Sequence, residues 1–117
     1  MTTSSPTPQE EYIENIQSQM REGFLEFCIM LILHDGAMYT TDIMRSLKSA
    51  NLIVVEGTLY PLLNRMRRSG LLEYEWQESS SGPPRKYYRL TADGRAMSHQ
   101  LTDTWQNLND TIHLLEQ

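Results

Sequence analysis

Hydrophobic residues recur at spacings of three and four along most of this chain, the pattern of helices with one buried face. The first such stretch covers residues 9–36, and Gly23 is placed to loosen this helix or to divide it in two. A second, shorter helix is expected to start at a cap formed by Thr40 or Thr41 and to end near Ala50. An extended apolar connection then leads to a third helix.

The third helix, residues 56–69, has the clearest division into two faces. Four apolar residues at i, i+3, i+4 and i+7 assign one face to a core: Leu59, Leu62, Leu63 and Met66. The other face carries Thr58, Tyr60, Pro61, Asn64, Arg65 and Arg68. Gly70 is expected to end the helix. Hydroxyl, amide and guanidinium groups on one exposed helix face are suited to binding phosphates and base edges.

Two strands and a long helix are predicted after this point. Residues 72–77 alternate apolar and polar side chains, residues 85–90 form a second strand, and residues 78–84 form a flexible tip, which together predict a β-hairpin. The last helix begins at a Thr91 cap. Its apolar residues repeat close to the 3.5-residue period of helices that pack on other helices: Met97, Leu101, Trp105, Leu108, Ile112 and Leu115.

The order of these elements predicts a mainly α fold with a small β-hairpin. It is the order of a winged helix-turn-helix unit followed by a long C-terminal dimerisation helix. In a chain of 117 residues, we expect a flexible tail at residues 1–8, a winged helix-turn-helix DNA-binding domain with its N-terminal helix at 9–91, and the dimerisation helix at 92–117.

The distribution of charge changes the picture given by the net charge of −5. Residues 45–89 hold eight basic and four acidic side chains, a local charge of +4, and the rest of the chain holds two basic and eleven acidic ones, or −9. Because salt limits electrostatic attraction to about 8–10 Å, a basic surface can act on an acidic protein. The acidic remainder also motivates an alternative, a winged-helix protein-interaction module without DNA binding.

Other compositional features indicate a cytoplasmic protein. The longest nearly unbroken apolar run, residues 24–33, contains Glu26 and is too short to cross a bilayer, so no membrane association is expected. No signal peptide is indicated. The single cysteine, Cys28, cannot form an internal disulfide and is interpreted as a small buried hydrophobic residue.

The sequence offers little for catalysis or metal binding. His34, His99 and His113 are far apart and lack cysteines or paired carboxylates at ligand spacing. There is no glycine-rich phosphate loop, and the three serines at 79–81 lack a nearby histidine–aspartate partnership. We therefore expect neither an enzyme nor a bound cofactor.

Four sequence blocks follow one another along the second half of the chain: Gly57-Thr58-Leu59-Tyr60-Pro61-Leu62-Leu63, Ser69-Gly70-Leu71, Arg85-Lys86-Tyr87-Tyr88-Arg89-Leu90-Thr91 and Gly94. In this order and spacing, they resemble the PadR family of bacterial transcriptional regulators. The resemblance covers roughly residues 20–105, and the single C-terminal helix is similar to the short-armed subgroup. The chain differs where Thr40 follows Tyr39, because the family usually has glycine there.

The resemblance implies a homodimeric regulator of double-stranded DNA, most similar to repressors that bind a pseudo-palindromic operator. It also implies that a small aromatic or hydrophobic effector releases the DNA, since the short-armed subgroup includes multidrug-sensing repressors. In those relatives a tryptophan at the place of Trp105 stacks planar ligands across the dimer axis. The residues alone leave an alternative role for Trp105, in the dimer core together with Leu101, Leu108 and Ile112.

The predicted DNA-binding residues come from the loop, the second and third helices and the hairpin. They are Tyr39, Lys48, Thr58, Tyr60, Asn64, Arg65, Arg68, Arg85 and Lys86. Arg85 and Lys86 are expected to bind phosphates or to enter the minor groove, although cations are common at surface loops. Tyr60 has an alternative role in packing, Arg89 in an intrachain salt bridge, and Trp76 is interpreted as packing rather than recognition.

Overall fold

The structure, a computed structural model, describes residues 4–117 as five helices and a three-stranded sheet. In chain order the elements are α1 (Pro8–Arg21), α2 (Phe24–Leu33), β1 (Met38–Tyr39), α3 (Thr40–Ser49), α4 (Glu56–Arg68), β2 (Leu72–Ser79), β3 (Gly82–Leu90) and α5 (Ala92–Leu115). The mainly α winged-helix fold and the long C-terminal helix are as predicted.

The first predicted helix is divided at Gly23, which has a φ of +81°. Such a left-handed backbone is easily reached by glycine and breaks the helical path. α1 begins at Pro8, earlier than expected, because Thr7 and Glu10 exchange hydrogen bonds between their side chains and backbone N–H groups. The predicted tail, residues 1–8, therefore loses its last residue to α1, and its residues 1–3 lie outside the described part of the chain.

The cap of α3 differs from the prediction by one residue. The N-cap position is Tyr39, not Thr40 or Thr41, and the backbone N–H of Tyr39 donates to the Asp42 carboxylate at 3.2 Å. Asp42, in the first turn, thus closes the turn back onto the N-cap backbone, as the acidic side chain of a capping box does. The final helix follows its prediction, since the Thr91 hydroxyl accepts from Gly94 N–H at 2.9 Å.

The hairpin is longer than predicted and is joined by a third strand. β2 and β3 pair antiparallel from Leu72↔Leu90 to Ser79↔Gly82, so the expected tip of residues 78–84 is mostly strand. β1 adds to the other edge of β3 only at Tyr87 and Tyr88, giving the order β1-β3-β2. Proline at positions 83 and 84 is tolerated because this part of β3 has no partner strand on its second edge.

A single core lies between the helices and the inner face of the sheet. Its buried members are Ile29, Met30, Leu33, Ile43, Leu47, Leu59, Leu62, Leu63, Met66, Leu72, Tyr88 and Leu90. The four apolar residues predicted to face inward from α4 all belong to it. The face of α4 that carries its polar residues is consequently held outward.

α1 and most of α5 lie outside this core. In the described chain, no residue of α1 is buried, and every residue of α5 from position 103 onward is exposed. α5 is fixed at its start, where Gly94 and Ser98 are buried. The apolar residues of α1 and those of α5 beyond Leu101 are therefore exposed in the single chain.

Candidate nucleic-acid interface

The outward face of α4 forms a continuous polar surface. Thr58, Tyr60, Asn64 and Arg68 are exposed on it, as predicted from their spacing. An open groove of about 450 Å³ runs along this face and is lined by Tyr60, Pro61, Asn64, Arg67 and Arg68. Donors and acceptors are thus presented along one side of a rigid helix, the arrangement by which a helix reads base edges in a major groove.

Arg67 is an addition to the predicted set. It lines this groove, and its guanidinium carbon lies 5.7 Å from the centre of the Tyr74 ring on β2. Sequence reasoning counted Arg67 in the basic segment but did not assign it to the site. The run of three basic residues in the last turn of α4 was the available signal.

Arg65 occupies a different position from the other predicted residues of α4. Its Nη2 donates to Oε1 of Glu26 on α2 at 2.8 Å, while 62% of the Arg65 side chain stays exposed. Arg65 therefore joins α4 to α2 and still presents its charge to solvent. Its contact with DNA stays a prediction.

Tyr39 supports the hairpin rather than standing free in a loop. Its hydroxyl donates to Oε1 of Gln77 at 2.5 Å, and its ring lies 4.8 Å from that of Tyr87. The guanidinium carbon of Arg85 lies 4.0 Å above the centre of the same ring. Tyr39 thus orients Arg85 through a cation–π contact.

Lys86 on β3 is held in a similar way, by aromatic rings of β2. It lies opposite Trp76 in the register of β2 and β3, and its Nζ is 4.5 Å from the centre of the Tyr74 ring and 5.4 Å from that of Trp76. Both cations predicted for the hairpin are therefore placed on aromatic surfaces, which restricts where their charges lie.

A cleft of about 240 Å³ separates the hairpin from the helices. Its walls are Tyr39, Thr40, Thr41, Tyr60, Trp76, Pro84, Arg85 and Lys86. Trp76 was interpreted as packing, yet its indole is 61% exposed. The sequence does not predict this exposure. Alternation along a strand indicates which face of the sheet a side chain occupies, but not where the core beneath that face ends.

Two other basic residues have more peripheral positions. Lys48 is exposed in the last turn of α3 and lines neither the cleft nor the α4 groove. Arg89 forms the predicted intrachain salt bridge, with Glu73 at 3.0 Å and Glu75 at 3.7 Å. The hydrogen bond that Arg89 donates to Glu73 raises the pKa of the Arg89 guanidinium.

A second candidate site lies between α2 and α5. An apolar groove of about 570 Å³ runs between the α1–α2 junction and α5, and Phe24, Phe27, Leu31, Leu101, Trp105 and Leu108 are among its walls. The rings of Phe24 and Trp105 are 6.5 Å apart. Trp105 is 54% exposed and Ile112, further along α5, is exposed as well.

The side-chain clusters and the helix lengths of residues 4–117 bear on metal binding and on membrane insertion. In that range, no group of three or more His, Cys, Asp or Glu side chains is arranged to hold a metal ion. Within the same range, no helix is both long and apolar enough to cross a membrane.

Comparison with known proteins agrees with this geometry. Residues 29–100 match the transcriptional regulator PadR-like family. A PadR-like transcription factor from Bacteroides fragilis is 54% identical, covering 86% of this chain and 98% of that one with a TM-score of 0.77. A PadR family transcriptional regulator from Eggerthella lenta is 30% identical over 92% and 94% of the two chains, with a TM-score of 0.74.

A PadR-like transcriptional regulator from Bacillus cereus is 35% identical, covers 85% of this chain and 97% of its own, and has a TM-score of 0.72. The family match runs from the middle of α2 to the start of α5. It therefore includes all residues of the cleft and of the α4 groove, whereas the apolar groove beside Trp105 lies almost entirely outside it. This chain belongs to the PadR-like family of transcriptional regulators.

Proposed function

We propose that this protein is a homodimeric repressor that binds a pseudo-palindromic operator, with α4 of each subunit in the major groove. The observation that carries the proposal is that α4 has one buried apolar face and one exposed polar face. Its apolar side is fully buried, while Tyr60, Asn64 and Arg68 are exposed beside a hairpin that carries Arg85 and Lys86. The helix supplies base-edge contacts and the hairpin supplies phosphate or minor-groove contacts.

The proposed dimer is supported by the apolar faces that the single chain leaves open. Trp105, Leu108 and Ile112 repeat along one side of α5 and are exposed, and so are the apolar residues of α1. Burial of such repeating faces against a second helix is the usual source of stability for long helices. Two-fold symmetry would place the two α4 helices about 34 Å apart, one turn of duplex.

The proposed effector is a planar aromatic or hydrophobic molecule bound in the groove beside Trp105. The walls are mainly hydrocarbon and aromatic, and polar groups are few, which suits such a ligand. The groove is bounded by both α2 and α5. A ligand that favours one angle between these helices would change the separation of the two α4 helices and release the DNA.

Selection of bound sequences from a random duplex pool tests this proposal directly. We expect enrichment of two inverted half-sites about one helical turn apart. In a salt titration of the selected duplex, log K should fall with log salt at a slope of about −0.9 for each phosphate contacted. Absence of duplex binding at low salt would overturn the proposal and favour a protein-interaction module.

Repression and effector release need a second measurement. In a reporter strain carrying the selected operator, deletion of the regulator should raise expression, whereas a fall would indicate an activator. Addition of a planar hydrophobic compound should lower the operator affinity of the purified protein. Unchanged affinity across a panel of such compounds would contradict the effector part alone.

A further inference from the structure

The aromatic side chains of β2 extend past the edge of the core. Tyr74 and Trp76 lie on the same face of the strand, and the cross-strand partner of Tyr74 is Tyr88, which is only 1% exposed. This face is therefore the one that covers the helices. Trp76 continues it two residues closer to the hairpin tip, where the core has ended and the indole is 61% exposed.

The exposed indole belongs to the cleft between the hairpin and α4. Tyr60, 43% exposed, lies on the α4 side of this cleft, and Trp76, Arg85 and Lys86 lie on the hairpin side. Lys86 and Arg85 are each placed over an aromatic ring, at 5.4 Å from Trp76 and 4.0 Å from Tyr39. Apolar ring surface and positive charge thus alternate along one narrow opening.

The position of the cleft indicates what would enter it. In the proposed complex, α4 lies in a major groove and the hairpin reaches the neighbouring minor groove. One sugar–phosphate strand separates those two grooves, so this strand must pass between α4 and the hairpin. A nucleotide of that strand offers the apolar edge of a deoxyribose flanked by negatively charged phosphates.

We propose that Trp76 is a DNA-contacting residue and that the cleft between α4 and the hairpin binds one sugar–phosphate unit of the operator. The indole packs on the deoxyribose opposite Tyr60, and Arg85 and Lys86 bind the flanking phosphates. This inference rests on the proposed DNA-binding function and deepens it. The contact reads no base, so it contributes equally to operator and random duplexes.

Fluorine NMR of the full-length protein tests the contact. The chain has two tryptophans, so protein labelled with 5-fluorotryptophan gives two indole signals, which the Trp76→Phe variant assigns. We expect the H₂O–D₂O isotope shift of the Trp76 signal to shrink when duplex is added, because the deoxyribose excludes solvent from the indole. Anisotropy of a dye-labelled duplex in the same sample reports binding separately.

The two readouts distinguish failure of the inference from failure of the proposed function. If the duplex binds and the Trp76 isotope shift is unchanged, the indole stays in solvent and the inference is wrong while DNA binding stands. If no duplex binds at low salt, the proposed function is wrong and the inference falls with it.

Salt dependence separates a direct contact from an effect transmitted through Lys86. Lys86→Ala should flatten the log–log salt slope by about 0.9, the value for one phosphate contact. Trp76→Ala should lower affinity about tenfold at every salt concentration and leave the slope unchanged, because the lost contact is apolar. Trp76→Phe should lower the affinity by a smaller factor than Trp76→Ala does. A Trp76→Ala variant that only flattens the slope would show that the indole merely positions Lys86, which overturns the inference.

Discussion

Arg65 on α4 and Glu26 on α2 form an ion pair, with Nη2 and Oε1 2.8 Å apart. Glu26 belongs to the helix that also walls the apolar groove through Phe24 and Phe27. The pair therefore connects the helix proposed to read DNA with the helix proposed to sense the effector. Both side chains are partly exposed, so its contribution to stability is expected to be at most about 1 kcal/mol.

Neutralising each partner of this pair should have opposite effects on DNA binding. Arg65→Gln should weaken binding to all duplexes and flatten the salt slope by about 0.9, because one cation is lost. Glu26→Gln removes a negative charge and frees Arg65, so it should strengthen nonspecific binding. Anisotropy titrations over a range of salt concentrations measure both. An equal loss of affinity in the two variants would mean that the pair acts only by holding α4 in place.

Asn64→Ala should reduce specificity more than general affinity. Asn64 is exposed at the centre of the α4 groove, where its amide is placed to donate to and accept from a base edge. Loss of such a contact costs about 1–3 kcal/mol of discrimination. Competition between the selected operator and random duplex measures the ratio of the two affinities. A loss of the same size on random DNA would contradict a base-reading role.

Trp105→Ala and Ile112→Asp should separate the effector groove from the dimer interface. Trp105 lines the groove beside Phe24, so its truncation should weaken binding of a hydrophobic dye such as anilinonaphthalene sulfonate and leave a dimer. Ile112 lies further along α5, and a carboxylate there should yield monomers because it places charge in an apolar interface. Sedimentation velocity measures the oligomeric state of the two variants, and dye fluorescence measures binding in the groove. A monomeric Trp105→Ala protein would assign the indole to the dimer core.

Gly94→Ala should strongly destabilise the fold. A methyl group at this position would lie 2.1 Å from the carbonyl oxygen of Leu71, so α5 must move away from the start of the hairpin. We expect a loss of roughly 1–3 kcal/mol, the usual cost of forcing a packed backbone to shift. Gly57→Ala is the matched control, because that helical glycine has open space around it and should become about 0.5–1 kcal/mol more stable. Urea unfolding compares the two, and equal free energies of unfolding would refute the close contact.

Cys28 should react slowly with iodoacetamide. Burial raises the pKa of its thiol, and the nucleophilic thiolate is therefore scarcer at neutral pH than in an ordinary cysteine. The alkylation rate, followed by mass spectrometry, should keep rising at pH values above those at which an ordinary thiol levels off. Protein unfolded in urea provides the control, and similar rates in the folded and unfolded protein would contradict the burial effect.

The parts of the structure set by local patterns were predictable from the sequence. The inward and outward faces of α4 follow from helical spacing, and the Thr91 cap follows from the preference of hydroxyl groups for helix starts. The division of the first helix at Gly23 is one of the two outcomes that the sequence predicts, because glycine reaches a left-handed backbone at low cost. Each of these depends on residues within a few positions of one another.

The remaining features depend on contacts between distant residues. β1 consists of two residues, Met38 and Tyr39, too few to show a period, and it exists only because β3 supplies an edge. Arg65 pairs with a glutamate 39 positions earlier in the chain, which no periodicity reveals. The cleft beside Trp76 likewise combines residues of five separate elements, so its presence could be seen only after folding.

The uneven distribution of charge has a consequence for the kinetics of association. The +4 segment contains α4 and the hairpin, while six of the eleven acidic residues outside it lie on α1 and α5. The protein therefore has an electric dipole that the field of a duplex turns during approach, so that encounters begin with the basic side forward. This pre-orientation speeds the search for a target at physiological salt and is lost near 1 M salt, where the Debye length falls to about 3 Å.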